Sequence, residues 1–379
     1  MFKHLITLLF LTVTSVLFLN AQITLPPSGD NQKCEVVQHI GLVRAAVMWG
    51  SPDVHGANGE DRTGKIWGEL VPYGLSNLDF GLSDEKNLMP WRAGANENTV
   101  FAVSHDVMIE GKPLPAGKYG LHMIPGKEEW VIIFSKNHSA WGSYFYRQSE
   151  DALRVTVKPQ AHAYTEWLTY EFDDRMPNGC TVRMRWEKLA VPFKVSVPNV
   201  NEYYLAKIRQ ELQNEAGFDY RGFLAASQFC AQNKIAMEEG LAWAEDAISR
   251  KYIGQRNFQT LSNKAQILTL MGRNDEAAAI MKDAIKEPTA GMQDIHMYAR
   301  SLQASKKNQE ALEIFKLNNQ RFPEEYMTLF GLARGYSAMG DYKNALKYAN
   351  LALPKASNAQ QKTQMEGAIA KLKENKDFN

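Results

Sequence analysis

The chain has 379 residues, of which 43 are lysine or arginine and 42 are aspartate or glutamate, so its formal net charge is +1. This balance disfavours nucleic acid as a partner, because nucleic-acid-binding proteins concentrate basic residues on one face. The length suits two domains of ordinary size.

The first residues have the pattern of a secretory signal peptide. Lys3 and His4 precede the uncharged apolar run Leu5–Leu19, and Ala21 is a small residue suited to cleavage. The run is shorter than the roughly 20 residues that a transmembrane helix needs. We therefore expect residues 1–21 to be removed and the mature chain to be exported, to the periplasm or the cell surface, without a transmembrane segment.

Residues 22–198 are expected to form a β domain. Apolar and polar residues alternate in short runs such as Val43–Trp49 and Val191–Val197, which is typical of half-buried strands. Trp130–Phe134 is apolar on both faces and indicates a central strand. Because no helical pattern intervenes, the segment predicts an all-β antiparallel sandwich, jelly-roll-like. The long section from Pro52 to Pro90 is expected to pack over it.

The three cysteines are few for an exported chain. Cys34 and Cys180 could form one disulfide, although their spacing cannot prove it. Cys230 would be left over, and we expect it to be buried as a small apolar residue.

Several motifs of the β segment occur together and in a fixed order: GKIWGELVPYG (64–74), WRAGANENT (91–99), GKPLPAGKYGLHMIPGKEEWVIIFSK (111–136) and DALRV (151–155). With these motifs, the segment resembles a secreted family known only as domain of unknown function 2911. The resemblance implies a shared β fold and an exported location, and it implies no reaction. The first two motifs are nearly continuous in many relatives, whereas residues 75–90 separate them here.

The polar cluster after Trp91 is the candidate site of the β segment. Arg92 offers a planar fork for a carboxylate or phosphate, and Glu97 could act as a base or as its partner. Asn96, Trp91 and Trp141 complete the predicted binding residues. The favoured alternative is that Arg92 and Glu97 pair with each other, or with backbone groups, and hold the loop after Trp91. Gly94 is expected to take a positive φ in either case.

Histidine chemistry is a weaker hypothesis. His122 is the imidazole that could join Arg92 and Glu97 in catalysis, and it could also meet His105 across neighbouring strands. No histidine lies at a metal-ligand spacing, and the oxygen-rich loop Asp53–Asp61 departs from the calcium-loop register. We predict neither a metal nor a cofactor. No nucleophile elbow, P-loop or dinucleotide fingerprint is present, so an enzyme is the less favoured interpretation.

Residues 258–379 contain a repeat, and a bridging helix and a divergent helical pair are expected in 199–257. Ala265, Ala299 and Ala333 recur 34 residues apart, as do Ala277, Ala311 and Ala345, which is the tetratricopeptide period. Three units are predicted to begin at Phe258, Met292 and Tyr326. The polar segment Asn358–Glu374 is expected to be a terminal capping helix.

The equivalent positions of these repeats predict a binding groove. Gln266, Arg300 and Arg334 would line it, with His296 nearby, and the two arginines could grip an acidic segment. The alternative is that the array is a spacer or packs against the sandwich.

The sequence therefore favours an exported binding or scaffold protein, with a protein or peptide partner on the repeats and a small-molecule or glycan ligand on the β domain. One alternative is a hydrolase that acts on a glycan or peptide through Arg92, Glu97 and His122. Another is a carbohydrate-binding module that uses exposed aromatic side chains such as Trp141.

Overall fold

The computed structural model describes residues 31–56 and 58–379, so the predicted signal peptide lies outside the described residues. The chain divides into two compact units, the first ending at Tyr204 and the second beginning at Leu205. The division falls inside a helix, Val200–Glu211, whereas the composition changes near Pro198.

The first unit consists of two antiparallel sheets. One has the strand order β1-β2-β3-β6-β7-β8 and the other β5-β4-β10-β9. The strands are β1 Gln32–Ile40, β2 Val43–Ser51, β3 Ala95–Val103, β4 Val107–Ile109, β5 Lys112–Leu114, β6 Gly117–Ile124, β7 Trp130–Ser135, β8 Asp151–Val157, β9 Gln160–Met176 and β10 Gly179–Ser196.

Aromatic side chains from both sheets form the centre of the core. Phe101 of β3 and Phe134 of β7 pack edge to face at 5.4 Å, and Phe193 of β10 lies 5.8 Å and 5.7 Å from them. All three are fully buried. Since β10 belongs to the second sheet, these contacts join the two sheets as in a sandwich.

The strand β7 is apolar on both faces because both faces are covered. Trp130 and Phe134 belong to the main core, whereas Ile133 packs on the other side with Met89 and Tyr146. Met89 comes from the section between Pro52 and Pro90, which also places Ile66 and Val71 in the main core. The expectation that this section packs over the sheets is confirmed.

All three cysteines are free thiols. Cys34 lies on β1 and Cys180 on β10, so they belong to different sheets, and the bridge considered from sequence is not formed. Cys230 is fully buried in a helix of the second unit. There it acts as the small apolar residue that was expected.

The second unit is an array of helices. They are α1 Val200–Glu211 (which begins in the first unit), α2 Tyr220–Asn233, α3 Met237–Ser249, α4 Phe258–Leu270, α5 Asn274–Ala284, α6 Met292–Ala304, α7 Asn308–Arg321, α8 Tyr326–Ala338, α9 Tyr342–Ala352 and α10 Ala359–Lys373. Among the helices of the described residues, none combines the length and hydropathy needed to cross a membrane.

The tetratricopeptide-like repeat is confirmed in register. Helices α4, α6 and α8 begin at the three residues that the period predicts. The six recurring alanines are buried, so the paired helices approach closely at those points. Helix α10 buries Met365, Ile369 and Leu372 in a cluster with Leu329 and Ala345, which covers the apolar end of the last repeat as a cap should.

In each of the three repeats, one residue in the turn between the paired helices has the left-handed backbone conformation. Gly272 and Gly340 have φ of 77° and 76°, and Lys306 occupies the same position of the middle repeat with φ of 60°. A lysine Cβ is strained in this conformation, whereas glycine is not.

Replacing Lys306 with glycine is therefore expected to stabilise the helical unit. We expect the free energy of unfolding to rise by roughly 0.5–1 kcal/mol, because the relief of strain exceeds the added freedom of the unfolded chain. Urea unfolding followed by circular dichroism at 222 nm measures it. The matched control Gly272→Lys should lower stability, since open space surrounds that position and only its φ opposes a side chain. A destabilised Lys306→Gly protein would contradict this account.

Candidate functional site

A strained turn positions Arg92 at the start of β3. Its neighbours Ala93 and Asn96 both have positive φ, of 54° and 60°. The carbonyl of Ala93 accepts hydrogen bonds from Thr99 Oγ1 at 3.0 Å and from Tyr170 Oη at 2.8 Å. Both donors are buried and belong to strands, so these two hydrogen bonds hold the turn in its strained conformation.

Gly94 does not take the positive φ expected from the sequence, since that conformation falls on Ala93 and Asn96 instead. A Cβ on Gly94 would lie 2.6 Å from Thr99 Oγ1 and 3.0 Å from the Gly50 carbonyl oxygen. The position requires glycine because the chain passes so close to β2, not because of its φ.

The guanidinium of Arg92 is held without an ion pair. Its Nη1 donates to the Asn96 carbonyl at 2.7 Å, and its Cζ lies 4.8 Å from the ring centre of Tyr144. Glu97 instead pairs with Lys33 at 3.2 Å. Arg92 and Glu97 therefore do not pair with each other, and Arg92 binds a backbone carbonyl instead, as the other form of the favoured alternative holds; no carboxylate of the described residues lies within ion-pair distance of Arg92.

Glu97 is an exposed, ionised group. A hydrogen bond from its own backbone amide, together with Lys33, holds the pKa of its carboxyl below the usual value. A depressed pKa suits an ion-pair partner and does not suit a general base or acid working near neutral pH.

His122 is buried beside a serine that the sequence did not single out. Its Nδ1 lies 2.8 Å from Ser143 Oγ, and its ring packs 5.2 Å from that of Tyr146. Burial, and then the charge of Arg92, lower the pKa of His122 to about 3, so the imidazole is neutral at pH 7. His105 does not meet His122, because its ring packs on Tyr203 at 4.5 Å.

A cavity of about 300 Å³ opens beside Arg92. Its wall includes Trp91, Ser143, Trp186 and a second arginine, Arg62. Ser143 and Trp186 were missed from sequence, which indicated only Trp141 in this part of the chain. Trp141 lies outside the wall and is 52% exposed, although Gly142, the next residue, lies against Arg92.

Four tryptophans form a cluster inside the β unit. Trp67 meets Trp91, Trp130 and Trp186 edge to face at 5.2–5.9 Å, and Trp91 is stacked on Trp186. Trp130 and Trp186 are fully buried. These four rings pack against one another as core residues and offer no flat platform for a sugar ring.

The oxygen-rich loop Asp53–Asp61 uses its carboxylates in ion pairs. Glu60 binds Arg62 at 2.9 Å, and Asp61 lies 3.5 Å from Nε2 of His55. Nδ1 of His55 is 2.9 Å from Glu166. Within 31–56 and 58–379, no group of three or more His, Cys, Asp or Glu side chains is arranged to hold a metal ion.

The helical unit brings three of its four predicted groove residues together. His296 is buried on α6, and burial, then Arg300 and Arg334, lower its pKa to about 4. Burial and Arg300 likewise lower the pKa of Arg334 to about 10. Gln266 lies apart on α4, where it lines a cavity of about 500 Å³ with Ser262, Met297 and Ser301.

The segment 376–379, which follows α10, lies on helix α8. Ser337 Oγ donates to Asp377 at 2.6 Å, and Phe378 stacks on Phe330 at 5.9 Å. Arg334 lies over both rings, at 4.5 Å from Phe330 and 5.7 Å from Phe378, and its Nη1 donates to the Asn379 side chain at 3.1 Å. The backbone of this segment is irregular, so the helix face holds it as it would hold an extended peptide.

Two family models match the chain. The model described as "Protein of unknown function (DUF2911)" matches residues 31–195. The resemblance seen in the β segment is confirmed. Downstream of the DUF2911 region, the model of the ChAPs, described as Chs5p-Arf1p-binding proteins, matches residues 253–378. No curated protein matches the chain.

Solved structures match the chain at low identity, and several of them are described as TPR or TPR-like proteins. YrrB, whose structure is described as a TPR protein with an unusual peptide-binding site, is 14% identical, with 45% of this chain and 84% of that chain covered and a TM-score of 0.32. MamA is 11% identical over 41% of this chain and 89% of that chain, with a TM-score of 0.32. A thermophilic TPR protein of Thermus thermophilus is 13% identical over 45% of this chain and 92% of that chain, with a TM-score of 0.30.

Proposed function

We propose that the chain is a binding or scaffold protein whose helical unit docks an extended, acidic and aromatic segment of a partner protein. The observation that carries the proposal is the docked segment 376–379, because it displays the ligand chemistry that the surface accepts. A carboxylate reaches Ser337, and an aromatic ring packs against both Phe330 and Arg334.

Charge on the docking face supports an acidic partner. Arg300 is exposed, makes no hydrogen bond or ion pair within the described residues, and lies close enough to Arg334 to influence its pKa. Two cations one repeat apart, with Asp377 near Arg334, leave a positive surface that a second carboxylate of a longer ligand would neutralise.

The face offers room beyond the docked segment. The cavity of about 500 Å³ between α4 and α6 carries both polar and apolar groups, and Met297 at its edge is 56% exposed. Exposed methionine suits binding of varied apolar side chains, since its side chain adapts its shape. A partner segment longer than 376–379 can therefore extend along the first helices of the repeats.

The location of this activity is proposed to be outside the cytoplasm. The proposal depends only on the sequence pattern of residues 1–21, which lie outside the described residues. Amino-terminal sequencing of the mature protein from the exported fraction tests it, and an intact residue 1 there would contradict it.

A labelled copy of residues 374–379, Glu-Asn-Lys-Asp-Phe-Asn, tests the docking proposal. We expect it to bind the full chain carrying Phe378→Ala, in which the internal competitor is weakened, and to bind the unaltered chain less tightly. Arg300→Glu placed in that background should weaken binding at least about tenfold, because it replaces the cation beside Arg334 with an anion that repels the acidic peptide. Fluorescence anisotropy measures both affinities.

The matched control is Lys343→Glu, which makes the same charge change at an exposed position of the second helix α9. It should leave the affinity within about twofold, and a peptide with Asp→Asn and Phe→Ala should not bind. If Arg300→Glu and Lys343→Glu lowered the affinity for the peptide equally, the loss would come from the net charge of the protein alone, and the proposal would be overturned. Absence of saturable binding to the Phe378→Ala chain would overturn it as well.

A further inference from the structure

We propose that the cavity beside Arg92 in the β unit binds a small organic anion, a carboxylate attached to a flat apolar body. This site is independent of the helical docking face. It rests on an uncompensated cation, on aromatic walls, and on a glycine that lets the cation lie where it does.

Arg92 is a half-buried cation without a counter-ion in the described part of the chain. A guanidinium has five N–H donors, and the described residues supply one carbonyl, that of Asn96, and the face of Tyr144. The other cation of the cavity wall, Arg62, already pairs with Glu60 through Nε and Nη2 at 3.1 Å and 2.9 Å. A carboxylate ligand would give Arg92 the partner that Arg62 already has.

The cavity wall selects against cations and favours a flat apolar body. No aspartate or glutamate of the described residues lines it, so nothing repels an anion. Trp91, which is partly exposed, supplies aromatic surface, whereas Trp186, stacked 6.3 Å from it at an interplanar angle of 11°, and Ser143 are almost fully buried in the wall. A volume of about 300 Å³ is at the small end of the range for ligand sites, which suits a single ring with a carboxylate.

Gly142 is a positioning residue for this cation. Its φ is 61°, and a Cβ built on it would lie 2.4 Å from Cζ of Arg92 and 2.6 Å from Nε. The guanidinium therefore lies directly against backbone that only glycine leaves open. An alanine here would displace the guanidinium without removing its charge.

Benzoate and its uncharged counterpart benzamide test the site by isothermal titration calorimetry on the full chain. We expect saturable binding of benzoate, and binding of benzamide at least about tenfold weaker, because only benzoate pairs with Arg92. Arg92→Gln should weaken benzoate by a similar factor. Arg62→Gln, the same substitution at the paired arginine of the same wall, should retain most of the affinity.

Two further variants separate loss of the site from loss of the fold. Arg92→Lys keeps the charge and loses the planar fork, and it should weaken benzoate binding while the urea midpoint of the β unit stays close to that of the unaltered chain. Gly142→Ala keeps both and moves the guanidinium; it should also weaken benzoate binding, with a urea midpoint lowered by the strain of a Cβ at a φ of 61°. Equal binding of benzoate and benzamide, an unchanged affinity in Arg92→Gln, or absence of benzoate binding to the unaltered chain would each overturn the proposal.

Discussion

Acidification from pH 7 to pH 5 is expected to destabilise the β unit through His122. The folded unit holds this imidazole neutral, with a pKa of about 3, whereas the unfolded chain protonates it near 6.5. The unfolded state therefore binds more protons, and stability falls as the pH drops below 6.5 until it reaches about 3. Over the two pH units chosen, the loss amounts to about 2 kcal/mol.

The substitution His122→Gln isolates this effect. Other groups that titrate in the same window, such as His55, are common to both proteins, so the difference between their pH slopes belongs to His122. Urea unfolding followed by tryptophan fluorescence reports the β unit, since it holds all the tryptophans except Trp243. We expect His122→Gln to lose much less stability between pH 7 and pH 5. An equal loss in both proteins, or an NMR titration of His122 centred near 6.5, would contradict the buried neutral imidazole.

The first residue of each repeat could be predicted because the recurring alanines give both the length of the repeat and the positions at which it begins. Each recurring alanine marks a close helix contact, so equivalent residues must occupy equivalent places, and α4, α6 and α8 begin where the period requires. The contacts of 376–379 with Arg334 could not be predicted, because nothing in a polar tail indicates which of its residues meets which helix.

The longest strand shows why the β half was harder to resolve. The run Val191–Val197 was expected as a short strand of its own, but all of it except Val197 belongs to β10, which begins at Gly179. The pairing with β9 shifts register on either side of Glu187, which has φ of 52° and is buried next to the buried Trp186. Such a bulge adds an extra residue, so the apolar side chains switch from even-numbered to odd-numbered positions along the strand. One continuous strand therefore has the sequence pattern of two.

The candidate site was predictable only in part for a similar reason. The sequence identified Arg92 because polar residues cluster around it. Its actual neighbours Gly142, Ser143 and Tyr144 lie far along the chain, after two further strands of the same sheet. Contacts of this kind depend on tertiary packing, which spacing along a sequence does not report.

Replacing glycine with alanine is expected to have opposite effects on stability at two positions of the helical unit. Gly331 in α8 and Gly367 in α10 both lie inside helices, where alanine is favoured over glycine by about 1 kcal/mol. Around Gly367 a Cβ meets open space. On Gly331 it would lie 2.6 Å from Cδ1 of Phe315, a fully buried ring that has no room to retreat.

Gly367→Ala should therefore stabilise the helical unit by about 1 kcal/mol. Gly331→Ala should destabilise it by roughly 1–3 kcal/mol, because overpacking outweighs helix propensity. Urea unfolding followed at 222 nm compares them, and Gly335→Ala, whose Cβ would lie 2.8 Å from Cδ1 of Leu312, should behave like Gly331→Ala. The close contact of α8 with α7 explains glycine at 331 and 335. Stabilisation by either substitution would mean that the two helices pack less tightly than these distances require.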